Sequence, residues 1–347
     1  MDKIPARRFY VPVSEIPQPA SLADGFFRDR AILITGGLGF IGSNLGRRLA
    51  AAGARVELLD CLVPEQGGHW RNVADYRDRV RIHEVDLRDT NLTPLVAGQD
   101  FIFNLAGQTS HLDSMENPAA DLAYNCAAQL ALLEACRKSG SRARVVFAST
   151  RQIYGRPHYL PVDEKHPLQP VDINGIHKMA AENYHLLYNE VHGLPCTVLR
   201  LTNTIGPGMR IRDARQTFLG VWMRQLLEGQ PIDVWNGGQV RDFTDVEDAV
   251  DAMLLAAQPE AVGQVYNLGG PCTIRLGELA ELLIDVHGSG SRTVRPFPEE
   301  RRRIDIGDYH ADFSRIKMEL GWEPRIFLRE TLVRTLAYYE ENLGHYL

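Results

Sequence analysis

The sequence predicts an α/β fold, a doubly wound parallel sheet with a smaller C-terminal lobe. Three observations carry that prediction. Over the first 200 residues, short apolar runs with strand character alternate with segments of helical spacing. A glycine-rich turn links the first of these runs to the first helical segment. Beyond residue 200, Gly and Pro clusters at 206–208, 229–231 and 269–271 divide the chain into shorter elements.

Taken in order, residues 1–28 are rich in Pro and lack a hydrophobic period, which reads as an N-terminal extension. AILIT at 31–35 is an apolar strand, GGLGFIG a turn, and SNLGRRLAAAG at 43–53 a helix closed by Gly53. Further strands are expected at 56–60, 80–86, 101–107 and 145–150, with a helix over 119–138. After Thr150 the chain turns loop-rich, then helical over roughly 175–192, then strand-like in CTVLRL at 196–201. Helices follow at 216–228, 246–257 and 276–287. The boundaries expected are 29–200 for the parallel domain and 201–347 for the smaller lobe, with one late segment returning to the sheet.

Composition narrows the function. The 347 residues are 44% hydrophobic and 24% charged, as in a globular protein with a sizeable core. A net charge of −6 disfavours nucleic acid as a partner, since phosphate binding relies on clustered Lys and Arg. The five cysteines form no C-x-x-C pair, and no H-E-x-x-H occurs, so neither a disulfide frame nor a metal site is expected. No apolar stretch approaches the roughly 20 residues needed to span a bilayer, and the N-terminal residues lack the apolar run of a signal peptide. The expected location is the cytoplasm.

The turn Thr35-Gly36-Gly37-Leu38-Gly39-Phe40-Ile41-Gly42 places glycines at 36, 39 and 42 between strand and helix. Glycines there permit a tight turn and close approach of the backbone to a pyrophosphate, which the helix N-terminus attracts. Asp60 ends the next strand, 18 residues after Gly42, where a carboxylate binds the ribose hydroxyls of adenosine and repels a 2′-phosphate. Cys61, Leu62 and Val63 follow with no basic residue, so NAD is favoured over NADP in a Rossmann-type domain.

These and further motifs resemble the extended short-chain dehydrogenase/reductase family, of the NAD-dependent nucleotide-sugar epimerase and dehydratase type. They are TGGLGFIG, Asp86-Leu87 in VDLRD, Asn104-Leu105-Ala106-Gly107, VFAST at 146–150, Ile153-Tyr154-Gly155, LRLTNTIGPG at 199–208 and RDFTDVEDAV at 241–250. The likeness runs from about residue 30 into GDYHADFSRIKMELGWEP. It implies a tightly held NAD, a nucleoside-diphosphate sugar as ligand, and a homodimer formed through the helices at roughly 119–138 and 175–192. It further implies that Gly36, Gly39, Phe40, Ile41, Gly42, Asp60, Asp86, Leu87, Leu105, Ala106, Gly107 and Lys178 surround the cofactor, Asp86 at the adenine and Lys178 at the nicotinamide ribose. The C-terminal lobe becomes the substrate lobe, with Asn203 and Arg241 on the diphosphate. One residue of Arg301-Arg302-Arg303, Arg303 by position, is a second phosphate ligand, and Ser110, His111 and Ser114 lie beside the sugar.

One position departs from the family pattern. The family carries Tyr-x-x-x-Lys preceded by a Ser or Thr; Thr150 and Lys178 stand in place, but Asn174 occupies the tyrosine position. A carboxamide hydrogen-bonds but has no pKa with which to accept a sugar proton. The Asp-Glu pair that follows the Thr in the 4,6-dehydratases is replaced by Arg151 and Gln152. The base is then to be sought in Lys178, acting through Thr150 or a water, in His177, or in His111 or Asp113, with Lys178 first because a neighbouring cationic ring would lower its pKa. Three functions stay open: 4-epimerisation with a non-standard base; dehydration or decarboxylation, for which Arg151 would suit a uronic acid; and a catalytically weakened protein that binds NAD and a nucleotide sugar.

Overall fold

Ala31–Thr35 is mainly apolar and buried from Ile32 onward, as expected of a central strand covered on both faces. The computed structural model describes residues 25–63, 66–88 and 90–347; most of the expected N-terminal extension lies outside them. Phe26 and Phe27, the last part of that extension, pack against Phe101 with ring centroids 5.8 and 5.2 Å away.

The first half contributes β1 (Ala31–Thr35), β2 (Arg55–Asp60), β3 (Arg81–Glu84), β4 (Phe101–Asn104), β5 (Arg144–Thr150) and β6 (Cys196–Leu201). The second half adds β7 (Asn203–Ile205), β8 (Ile232–Trp235), β9 (Val240–Asp245), β10 (Val265–Asn267), β11 (Thr273–Arg275) and β12 (Arg292–Arg295). Seven strands form one parallel sheet in the order β10-β6-β5-β4-β1-β2-β3. β10 is the late segment that returns to it. The strand order reverses between β1 and β4, the point at which doubly wound sheets open a crevice beyond their carboxyl ends. The C-terminal lobe holds the β11-β9-β7 sheet and the β12-β8 pair. Among the described residues, no helix is long and apolar enough to cross a membrane.

Side-chain chemistry sets where elements end. β4 stops at Asn104, where the Leu105 N–H is shared between the Thr35 carbonyl at 3.2 Å and Thr35 Oγ1 at 3.1 Å, and the Ala106 N–H leaves the ladder for the same Oγ1 at 3.1 Å. The helix Ile173–His192 begins where Asp172 accepts the Gly175 N–H at 2.7 Å. The helix expected over 119–138 is three pieces, Pro118–Leu122, a π turn at Ala123–Ala127, and Ala128–Ser139. That turn shifts the helical register and aims Asp121 and Asn125 at the same interior point, where Asn125 Nδ2 donates to Asp121 Oδ2 at 3.0 Å.

One buried network joins β5, β6, β10 and the Ile173–His192 helix. Glu182 accepts from Ser149 Oγ at 2.8 Å and from the Arg200 guanidinium; Arg200 donates to Tyr154 OH at 2.7 Å, and Tyr154 to Asn267 Oδ1 at 2.7 Å. Glu182→Ala strands the Arg200 charge and should cost about 3–5 kcal/mol in urea unfolding. The double variant Glu182→Ala, Arg200→Met should recover part of that loss; equal stability of Glu182→Ala and the parent would contradict it.

Candidate active site

A single cleft of ≈ 950 Å³ runs from the glycine turn, past Thr150 and Lys178, to Arg241 in the second lobe. At its first end Gly36 adopts φ +67°, and a Cβ on Gly42 would stand 2.2 Å from the Gly36 carbonyl oxygen. The turn therefore closes only with glycine at 42, and the Phe40–Ala51 helix starts with no acidic residue in its first turn. Free N–H groups and the helix dipole suit an anion there. Asp60 Oδ2 accepts the Leu38 N–H at 3.0 Å and Oδ1 the Leu62 N–H at 2.9 Å. Burial pushes the Asp60 carboxyl up while these N–H groups pull it down, the first outweighing the second. Asp60 thus ties the glycine turn to β2 and keeps acceptor capacity for ribose hydroxyls. Asp86 lies on the same cleft, with Arg88 Nη2 2.6 Å from its carboxylate, and Leu87, Leu105, Ala106 and Gly107 line the wall between. This cradle fits a dinucleotide without a 2′-phosphate.

At mid-cleft, Thr150 Oγ1 caps the short helix Arg151–Tyr154 by accepting the Gln152 N–H at 3.2 Å. Lys178 Nζ donates to the Ala148 carbonyl at 3.0 Å and sits 4.9 Å from the centre of the Phe147 ring. Burial draws its pKa down to about 8, against the opposing charge of Asp121. Asn174 is 3% exposed, and its Nδ2 lies within hydrogen-bond reach of three acceptors: Gln108 O at 2.9 Å, Gln108 Oε1 at 3.2 Å and Asp121 Oδ2 at 3.2 Å. His177 meets the other oxygen of the same carboxylate, with Nδ1 2.7 Å from Asp121 Oδ1, and does not line the cleft. Asp113 lines it but is engaged by Arg215 Nε at 2.7 Å. Ser110 and Ser114 serve the His111–Glu116 helix: Ser110 Oγ accepts the Asp113 N–H and Ser114 Oγ donates to the His111 carbonyl. His111 faces the cleft.

In the second lobe Asn203 lines the cleft and donates to the Asp242 carbonyl at 3.2 Å. Arg241 is pinned by the Gly307 carbonyl and by Asp305 at 3.3 Å; burial lowers its pKa to about 10, with Arg151 adding to the effect. Arg303 does not line the cleft, whereas Arg301 does, its guanidinium 4.4 Å from the Trp235 ring centre. The Glu299–Arg302 turn decides between them, since its rotation carries neighbouring arginines to different sides. Gln108 and Asp121 were not singled out by sequence. The signal lay in Asp121, Asn125 and Gln129, polar residues repeating every four positions along one helical segment.

Fold and cleft together define an NAD-dependent enzyme that modifies nucleotide sugars. Residues 32–269 match the NAD dependent epimerase/dehydratase family, and the chain belongs to it. It is 30% identical to the UDP-glucose 4-epimerase of Mycolicibacterium smegmatis over 315 residues, 89% of this chain and 98% of that one. It is 31% identical to UDP-glucuronic acid decarboxylase 1 of Xenopus tropicalis over 327 residues, 91% of this chain and 73% of that one. The dTDP-glucose 4,6-dehydratase of Streptomyces venezuelae, solved with NAD bound, is 27% identical at a TM-score of 0.83, covering 90% of this chain and 98% of that one. Gly42→Ala should weaken NAD binding by tenfold or more, about 1.4 kcal/mol, in calorimetric titration. Unchanged affinity would show that the cofactor does not use this turn.

Proposed function

We propose that this chain epimerises a nucleoside-diphosphate sugar at C4 through a transient keto sugar, with a base other than tyrosine. The supporting observation is the continuity of the cleft, which sets a dinucleotide cradle and a buried arginine at opposite ends of one space with Thr150 and Lys178 between them. NAD, when bound, supplies the acceptor and later the donor of the hydride. The glycine turn holds its pyrophosphate, Asp60 the adenosine ribose, Asp86 the adenine and Lys178 the nicotinamide ribose. Thr150 orients the sugar hydroxyl, Asn174 fixes the wall beside it through Gln108, and Asn203 and Arg241 take the diphosphate. Arginine suits that duty because its planar fork bonds phosphate oxygens in pairs. The chain acts as a homodimer; Leu122, Ile176, Leu187 and Val191 leave exposed apolar surface on the two long helical segments.

One observation favours a second reading. Arg151 lines the cleft beside Thr150, its buried Nε has no hydrogen-bond partner, and its Nη1 reaches only Thr202 Oγ1 at 3.4 Å. A buried guanidinium so placed suits a sugar carboxylate, which would direct the keto sugar toward decarboxylation. Incubation of the NAD-loaded protein with UDP-, dTDP-, GDP- and CDP-sugars in deuterated water separates the outcomes. Epimerisation gives an isobaric product without solvent deuterium; loss of CO2 or water, or deuterium uptake, would replace it by decarboxylation or elimination. Binding without turnover across the panel would leave a binding protein.

A further inference from the structure

Oxidising a sugar hydroxyl releases a proton, and Asn174 cannot take it. Three of the titratable groups near mid-cleft are committed elsewhere. Lys178 is anchored on the Ala148 carbonyl, and with a pKa of about 8 it is mainly ammonium at neutral pH, with no lone pair to offer. Asp113 is ion-paired with Arg215, and His177 faces Asp121 outside the cleft.

His111 differs from all three. Its side chain is 37% exposed and lines the cleft, while its Nδ1 is turned inward, 3.0 Å from Oδ2 of an Asp172 side chain that has no exposure. Asp172 is itself fixed: Oδ1 accepts the Gly175 N–H at 2.7 Å and Oδ2 accepts from Gln152 Nε2 at 3.0 Å. Burial pulls the Asp172 carboxyl up, but His111, Gln152 and the Gly175 N–H overcome it and hold the group below the usual carboxylate range. The Nδ1 contact has hydrogen-bond length without hydrogen-bond alignment, and catalytic hydrogen bonds commonly tighten only when substrate binds.

We propose that His111 is the base that replaces the missing tyrosine, with Asp172 as the residue that positions it. Resting on the reaction proposed above, the step balances as follows. The sugar O–H bond breaks and its proton forms an N–H bond at His111 Nε2; the oxygen electron pair becomes the second bond of the carbonyl, and the C–H bond departs with its pair as hydride to NAD. The return step reverses each transfer. A buried carboxylate on Nδ1 keeps the proton on that nitrogen, leaves the Nε2 lone pair to the cleft and stabilises the imidazolium that forms.

The test uses the full NAD-loaded chain and whichever panel sugar the parent turns over. His111→Ala should lower kcat about 100-fold or more, keep the affinity for that sugar's own nucleoside diphosphate within twofold by calorimetry, and regain turnover when imidazole is added. Asp172→Asn, which preserves the helix cap, should lower kcat with KM unchanged. In ¹⁵N-histidine spectra the resonance that His111→Ala removes should report the Nδ1–H tautomer in the parent and a mixture in Asp172→Asn. Parent-like kcat in His111→Ala, or loss that imidazole does not rescue, would overturn the assignment while leaving the proposed reaction standing. If the parent turns over no sugar at all, the proposed reaction falls and this step with it.

Discussion

Asp121 sets a carboxylate where its side chain has no exposure, and the residues around it are arranged to answer that charge. His177 takes one oxygen at 2.7 Å; Asn125 and Asn174 donate to the other at 3.0 and 3.2 Å. An unanswered carboxylate in such a place would cost several kcal/mol. The π turn at Ala123–Ala127 brings Asn125 into reach, and the packing leaves no room at its neighbour: a Cβ on Gly107 would stand 2.5 Å from Asn125 Oδ1. Asn174 is therefore one of the bonds that lock the two long helical segments together. It holds Gln108 as well, and through Gln108 the wall of the cleft.

The same economy governs the far wall. Asp245 closes β9 and caps the Val246–Ala256 helix by accepting the Glu247 N–H at 2.8 Å. Its carboxylate also receives Arg334 and Thr331 from the C-terminal helix Leu328–Tyr346. Arg241 lies four residues earlier on that strand, so its guanidinium rests on a backbone fixed at one end by a buried ion pair. Asp242, between them, accepts from Thr202 Oγ1 at 2.6 Å and from the Ala311 N–H at 3.1 Å, joining the strand to the residue just before β7, which Asn203 opens.

Much of this could be read from the chain. β1, β5 and β6 are largely apolar because both faces of a parallel sheet are covered, and the glycine turn declares itself by position between strand and helix. The elements missed are those whose cause is distant. β7 and β11 have three residues each, too few for a period, and exist because β9 pairs with both. The His111–Glu116 helix has six residues, too few for a period, and the Leu328–Tyr346 helix is fixed by Thr331 and Arg334 on the distant Asp245. The His111 and Asp172 pairing spans 61 positions, with no local pattern to announce it. The anchoring of Lys178 on the Ala148 carbonyl is likewise visible only in three dimensions.

Restoring the family tyrosine tests most directly whether Asn174 belongs to a working site. A phenol at 174 would displace the carboxamide from Gln108 and bring a hydroxyl against the buried Asp121 carboxylate, which disfavours the phenolate the tyrosine mechanism needs. Turnover of the native sugar by Asn174→Tyr, measured beside the parent at equal NAD occupancy, should fall at least tenfold. A rise in turnover would contradict this, and would mean that the chain is a tyrosine-dependent enzyme that lost its base.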